Sequence, residues 1–390
     1  MPVIEELARE AEELALWRQD LHAHPEIAFA EHRTANEVAT RLAGFGVEVH
    51  QGIGRTGVVG RLAVGSGNRA IALRADMDAL PIEEKNGFDH RSRHPGRMHA
   101  CGHDGHTTML LGAARHLART RRFDGTVYFI FQPAEEGDGG AQAMIDAGLF
   151  ERFPVEAVYG LHNWPGLAAG TFGVRAGPIM AASDTFEIVV RGRGGHAAMP
   201  HQAIDPVVAA AHIITALQTI ASRRVMPTEA VVVSVTQLAA GEAWNVIPDE
   251  AVLRGTVRAL SPSVRDAVAP EITRIAEGVA AAFGASVHVR YERRFAPTVN
   301  SLTEAEAAAA AAEAVAGRAG VVRSLPPSMG AEDFSAMLER RPGAYIWLGN
   351  GPTDGGRALH SPLYDFNDAV LAAGASYWVK LVEQQLPARA

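Results

Sequence analysis

Lysine is almost missing from this chain. Only Lys85 and Lys380 occur, the 36 Lys and Arg residues stand against 44 Asp and Glu, and the formal net charge is −8. Phosphate backbones are bound by clustered Lys and Arg that displace counterions, so this balance excludes a nucleic-acid partner and points to small-molecule ligands. The preference for Arg over Lys is a composition bias without mechanistic meaning. Cysteine occurs once, as Cys101. No intrachain disulfide can form, and a single thiol fits a reducing compartment. No apolar run approaches the roughly 18 residues needed to cross a bilayer, which excludes a membrane span. Glu5, Glu6 and Glu10 stand where a secretory leader would place a basic patch and an apolar stretch. We expect a cytoplasmic protein.

What is present describes a folded chain. Hydrophobic residues make up 47% and charged residues 21%, the balance of a globular protein rather than a disordered one. With 390 residues the chain exceeds one ordinary core, so two domains are expected. Ile4, Leu7, Ala8, Ala11, Leu14 and Ala15 recur at helical intervals, and that helix should end near His24 and Pro25. Short apolar runs follow at 56–64, 70–75, 126–131, 157–161 and 344–348, several apolar almost throughout, as strands buried on both faces are. Helical stretches at 107–120 and 140–147 lie between them. This alternation predicts an α/β fold, a sheet covered by helices on both faces.

Between 183 and 294 the pattern changes. Residues 185–191 alternate as a half-buried strand, Asp205 and Pro206 open an apolar helix, and strands are expected at 230–238 and 250–260. A helix over 263–283 and a strand over 286–291 complete a β-α-β-β-α-β order, the ferredoxin-like arrangement. We expect 183–294 to be an inserted α+β domain and 1–182 with 295–390 to form one discontinuous domain. The run 305–316 reads as an alanine-rich surface helix.

Four groups of polar residues stand at strand ends or helix starts: Asp76 and Asp78, Glu135 and Glu136, His162, and the stretch from Met98 to His106. Ligand sites of open α/β sheets lie at the carboxyl ends of strands, so these groups should converge on one crevice. Each has a duller explanation alone. An Asp after a strand is usually a turn or cap residue, a Glu pair can be a solvated loop, and a single His can be a hydrogen-bonded core residue. The stretch containing Cys101, His103 and His106 is harder to dismiss, because thiolate and imidazole in a glycine-containing turn are metal ligands by preference. Four independent dull explanations at the same sheet edge have a small joint probability.

These residues also carry a resemblance. Ala72 to Pro81 (ALRADMDALP), Met98 to His106 (MHACGHDGH), Gln132 to Gly137 (QPAEEG) and Leu161 to Trp164 (LHNW) resemble successive motifs of the M20 metallopeptidase family. Gly194 to His201 (GGHAAMPH), Asn245 to Pro248 (NVIP), Met329 to Phe334 (MGAEDF) and Leu359 to Pro362 (LHSP) continue the match, which is closest to the aminoacylase and hippurate hydrolase branch. The resemblance implies an exopeptidase-like mixed sheet with an inserted lid or dimerisation domain. It implies two divalent metal ions, zinc or manganese with cobalt or nickel as further options, held by Cys101, His103, Glu136, His162 and His360. Glu135 would be the general base, Asp78 would orient a ligand, and His196 and Asn245 would bind substrate. Asp76 stands where more distant relatives have a metal-binding histidine, so it is either a ligand or structural. The implied reaction is hydrolysis of the amide bond of N-acyl-amino acids, hippurate-like or N-acetylated. The implied assembly is a homo-oligomer, a dimer or dimer of dimers, formed through the inserted domain.

The chemistry is coherent without the family, since a carboxylate one residue from a ligand can move the proton of an activated water. Rival readings are a dipeptidase or carboxypeptidase of the same fold, a metal-dependent binding protein without turnover, and a hydrolase using Cys101 as nucleophile. The second has no need for Glu135 beside Glu136. The third conflicts with a thiolate tied up by metal.

Overall fold

The buried apolar runs do pair into one sheet, and their pairing puts the polar groups at its edge. A computed structural model describes residues 3–388. In the larger of two units, eight strands lie in the order Glu48–Ile53, Gly57–Val64, Gly125–Gln132, Ala70–Asp76, Ala157–Pro165, Gly343–Gly351, Phe172–Gly173 and Val321–Val322. Strand 70–76 runs parallel to 125–132 and 157–165, and 343–351 runs parallel to 157–165, whereas 48–53 and 57–64 add an antiparallel edge. The sheet is therefore mixed, and strand 343–351 is buried at every position, as its apolar sequence requires. Alternation sends Leu73, Ala75, Phe129, Phe131, Ile346 and Leu348 into a core shared with the helices Ala11–Ala23, His103–Thr120, Leu302–Ala316 and Leu371–Gln385. Arg74, Gln132 and Tyr345, one step out of phase, take the opposite face. The helix Gly140–Asp146 packs against strand 125–132, and the short helix Ser335–Leu338 packs on that helix.

Three local features depart from the sequence reading. The first helix is two, Glu5–Arg9 and Ala11–Ala23, and a helix at His32–Gly44 and the edge strand 48–53 were not foreseen. The alanine-rich helix 302–316 is not a surface element: Ala305, Ala308, Ala309, Ala311 and Ala312 are buried, and their small side chains let it pack closely on 371–385. Helix 103–120 begins four residues before the expected Thr107, because Gly102 caps it at φ +95. A Cβ there would lie 2.3 Å from Asn163 Oδ1, so only glycine fits.

The smaller unit comprises Pro178–Thr298 and Pro327–Glu332, while Gly177 and the residues before it, Val299–Pro326 and the residues from Asp333 onward form the larger one. The return of 327–332 was outside the expected boundaries. It has no apolar periodicity, and it is held by hydrogen bonds from Ala181 N–H to the carbonyls of Ser328 and Gly330. Strands Val231–Ala240, Glu250–Ala259, Ser183–Arg191 and Ser286–Phe295 form an antiparallel sheet in that order. The helices Pro206–Leu217 and Pro262–Ala282 pack with it around one core. Asp205 caps the first of them by accepting from the N–H groups of Val207 and Val208.

A buried ionic network ties the N-terminal helix to the start of helix 103–120. His22 Nδ1 lies 2.9 Å from Asp104 Oδ2 and its Nε2 lies 3.2 Å from Glu84 Oε1, with Arg18 Nη1 3.6 Å from the same Asp104 oxygen. Burial lowers the His22 pKa, but Asp104 and Glu84 outweigh it and hold the imidazole at about 9, above its usual 6.5. Because the folded value is the higher one, this stabilisation is fully present below pH 6.5 and is lost as pH rises through about 9. It amounts to about 3 kcal/mol at most. Urea unfolding of wild type and His22→Gln between about pH 6 and about pH 10 should show the gap between them closing at the alkaline end. A gap independent of pH would mean that the His22 proton does not contribute.

Candidate metal centre

Strand ends and one helix start deliver the polar groups. Strand 70–76 ends on Asp76, with Asp78 two residues beyond, and strand 125–132 hands over at Pro133 to the turn carrying Glu135 and Glu136. His162 lies within its strand rather than after it, because 157–165 continues alongside 343–351. Cys101 and His103 flank the capping Gly102. His360 follows strand 343–351 in a loop, with φ 62 and its backbone N–H donating to Ala100 O at 2.7 Å.

The structure brings all five expected ligands together, and their protein partners aim the remaining atoms inward. His162 Nδ1–H donates to Asn163 O at 2.6 Å, leaving Nε2 3.4 Å from Cys101 Sγ. His103 Nδ1–H donates to Asp78 O at 2.8 Å, with Asp78 Oδ1 at 3.2 Å, which turns its Nε2 toward the acids. Asp78 Oδ2 in turn accepts the Glu136 N–H at 2.9 Å. A carboxylate placed this way fixes the tautomer and direction of a ligand imidazole. Glu136 Oε1 is 3.3 Å from His360 Nε2 and 3.9 Å from His103 Nε2, and Glu135 Oε2 is 3.9 Å from His103 Nε2.

Donor atoms of Cys101, His103 and His162 lie within 4.8 Å of one another, and so do those of Cys101, Glu136 and His360. Cys101 is common to both sets. His103 Nε2 and Glu136 Oε1 are buried without a hydrogen-bond partner among the described residues, a costly state for polar atoms unless something else binds them. Nitrogen, sulfur and carboxylate donors meeting at orphaned atoms fit a pair of divalent cations.

The electrostatics agree. Burial pushes His103 down, yet Asp76, Asp78 and Glu136 hold it up at about 10, so this cluster draws in positive charge. Burial and the charges of Glu136, Glu135 and Asp76 push the Cys101 thiol well above its usual range. Burial and His106 push His162 well down, leaving it a neutral imidazole able to donate a lone pair. A cation would supply the charge these acids lack and release the Cys101 proton.

Asp76 has protein partners on both carboxylate oxygens, and it also lies in a donor set with His103 and His106. Its Oδ1 accepts from His106 Nδ1–H at 2.5 Å and its Oδ2 accepts from Arg74 Nη1 at 2.6 Å. His106 Nε2 lies 2.7 Å from Asn163 Oδ1 and 3.0 Å from the Asn163 nitrogen, so both its nitrogens also have protein partners. Arg74, fully buried, reaches Gln132 Oε1 at 2.8 Å and Asp333 Oδ1 at 3.2 Å. The sequence reading missed Arg74, His106 and Asp333 as supports. An arginine inside an apolar strand run was the available signal for the first, since a buried cation requires buried acids. His196 and Asn245 belong to the smaller unit. His196 pairs with Val246 in a two-stranded ladder, and the Ala197 N–H donates to Asn245 O, so the two exposed residues are neighbours.

A model of the peptidase family M20/M25/M40 matches residues 72–384. The chain belongs to this family. It is 42% identical over 386 residues to a hippurate hydrolase of Campylobacter jejuni, covering 99% of each chain. It is 46% identical over 286 residues to an N-acyl-L-amino acid amidohydrolase of Geobacillus stearothermophilus, covering 73% of this chain and 77% of that one. The M20 fold is shared with the crystal structure of a dinuclear metal-binding peptidase of Bacillus subtilis, at a TM-score of 0.85 and 37% identity, covering 97% of this chain and 99% of that one.

Proposed function

We propose that this M20 protein hydrolyses the amide bond of N-acyl-L-amino acids, with two divalent cations held by Cys101, His103, Glu136, His162 and His360. The observation that carries the reading is the pair Glu135 and Glu136: one carboxylate lies in a donor set with Cys101 and His360, and its buried neighbour lies in one with His103 and Glu136. The names of the two relatives support the substrate class. Cations bound there would polarise the scissile carbonyl and lower the pKa of water from about 15.7 to about 7. Glu135 would take the proton of that water and pass it to the leaving nitrogen. Asp78 keeps His103 aimed, and Asp76 supports through His106 and Arg74 rather than ligating.

His196 would donate to the oxygen that gains charge, and Asn245 to the carbonyl or carboxylate of the substrate. Histidine and thiolate favour zinc, and the carboxylate admits manganese. Trp244, Met199 and Val246 are exposed around His196, and this apolar surface supports assembly through the smaller unit, a dimer or dimer of dimers. A cytoplasmic location agrees with the single free thiol.

The test is a metal-replete assay on benzoylglycine, acetyl-amino acids and dipeptides. Turnover of the first two classes is expected, and turnover of dipeptides alone would replace this reading with an exopeptidase. Full activity after chelation, with metal absence shown by elemental analysis, would remove the mechanism. Cys101→Ala gives an independent check: loss of the donor common to both sets should lower the zinc or manganese content measured by elemental analysis. A metal content equal to wild type would take Cys101 out of the coordination sphere.

A further inference from the structure

The turn that carries Glu135 contains a residue in an unfavourable conformation. Ala134 has φ 53, a left-handed backbone that costs a residue with a Cβ roughly 1–2 kcal/mol. It is fully buried and immediately precedes Glu135. Something must hold its peptide that way round, because strain of this kind persists only where the surroundings impose it.

The holder comes from far away in sequence. Glu31 is fully buried, and its Oε1 accepts the Ala134 N–H at 3.0 Å and the Phe29 N–H at 3.0 Å. Its Oε2 accepts from Thr56 Oγ1 at 2.5 Å. The Glu31 backbone is itself fixed at the start of helix 32–44, where its carbonyl accepts the Ala35 N–H at 2.9 Å. The rest of the turn is fastened in the same manner. Asp78 accepts from Glu136 N–H, Asp333 Oδ2 accepts from Ala141 N–H at 2.9 Å, and Gly140 N–H closes the loop onto Ala134 O at 3.0 Å. Ala134 is the point where a peptide rotation would swing Glu135, and Glu31 alone among these fasteners grips that N–H.

We infer that Glu31 is a positioning residue, whose buried carboxylate locks the Ala134 peptide in its left-handed form and so sets where the Glu135 carboxylate stands. This rests on the reading of Glu135 as the base. A displacement of about 1 Å at a reacting group can cost up to ~10²-fold in rate, so a loosened Ala134 should act on kcat.

Variants at these positions decide it, each checked for metal content and folding. Glu31→Leu should lower kcat ~10-fold or more while KM stays within ~3-fold, since binding groups are untouched. Hydrogen exchange of the 132–141 peptide in the metal-free protein should quicken by a similar factor. Glu31→Gln keeps an oxygen for the two N–H groups and should recover most of both losses. The discriminating variant is Glu31→Leu with Ala134→Gly: glycine accepts positive φ without the Cβ penalty, so the double variant should regain part of the lost kcat and exchange protection. A merely structural Glu31 would give no such rescue. If Glu31→Leu does not fold, Glu31→Asp, too short to reach the Ala134 N–H, takes its place in both assays. Unchanged kcat and exchange in the folded Glu31 variant, or absence of any recovery by Ala134→Gly, overturns the inference. Glu135→Gln is run beside them: if it is inactive while Glu31→Leu is fully active, only the positioning role fails, and if it is fully active the base assignment fails and this inference with it.

Discussion

Glu135→Gln should leave the fold and the metal content intact and lower kcat by ~10²-fold or more. The substitution keeps size and hydrogen-bonding capacity, and what disappears is the ability to take a proton and return it to the leaving nitrogen. Glu135 is not one of the five proposed ligands, so elemental analysis should find the same cation content as in wild type. KM should change little, because the amide side chain still occupies the same place beside His103. Turnover at the wild-type rate in a metal-loaded variant would assign the proton transfer elsewhere. Loss of metal together with activity would instead make Glu135 a ligand.

His196→Ala should lower kcat by a comparable ~10²-fold, with metal content unchanged. The reasoning starts from the substrate. An acyl-amino acid presents a carbonyl that becomes an oxyanion and a terminal carboxylate, and two cations do not serve both. A neutral donor at the carbonyl acts mainly in the transition state, so its loss falls on kcat, whereas Asn245→Ala should raise KM as well. If His196 is contributed by a partner subunit, mixing His196→Ala with Glu135→Gln should restore part of the activity, because some active sites then combine one intact contribution from each chain. No recovery despite demonstrated subunit exchange would place His196 in its own chain's site. An unchanged kcat in His196→Ala would remove it from the reaction.

The sequence made the cluster legible because metal-ligand residue types recur there in motifs at strand ends and at one helix start. Cys101, His103, Glu136, His162 and His360 could be read from motif and position, and the structure gathers them within hydrogen-bonding range or slightly beyond. The buried strands were equally readable, since continuous apolar runs leave little choice. What escaped was support across long sequence separations. Glu31 looks like a surface acid at the start of a helix, and nothing near it announces that its partner is the amide of residue 134. The helix 302–316 was misread because alanine is compatible with both solvent and core, and only the neighbouring helix decides between them. The start of helix 103–120 was placed late because a capping glycine at positive φ is not distinguishable from a loop glycine in sequence alone.

Strand 343–351 lies in the interior of the sheet, between 157–165 and 172–173, although the chain supplies it near its end. During synthesis on a ribosome the strand 157–165 therefore waits with an open edge until that late segment emerges, while the nearly contiguous smaller unit has all but a short return of its sequence in hand. His360 is made after strand 343–351, so the nascent polypeptide carries four of the five proposed ligands before it can complete the donor set. The donor set of Cys101, Glu136 and His360 is then completed later than that of Cys101, His103 and His162, and a chain that stalls before residue 343 exposes an apolar edge suited to aggregation.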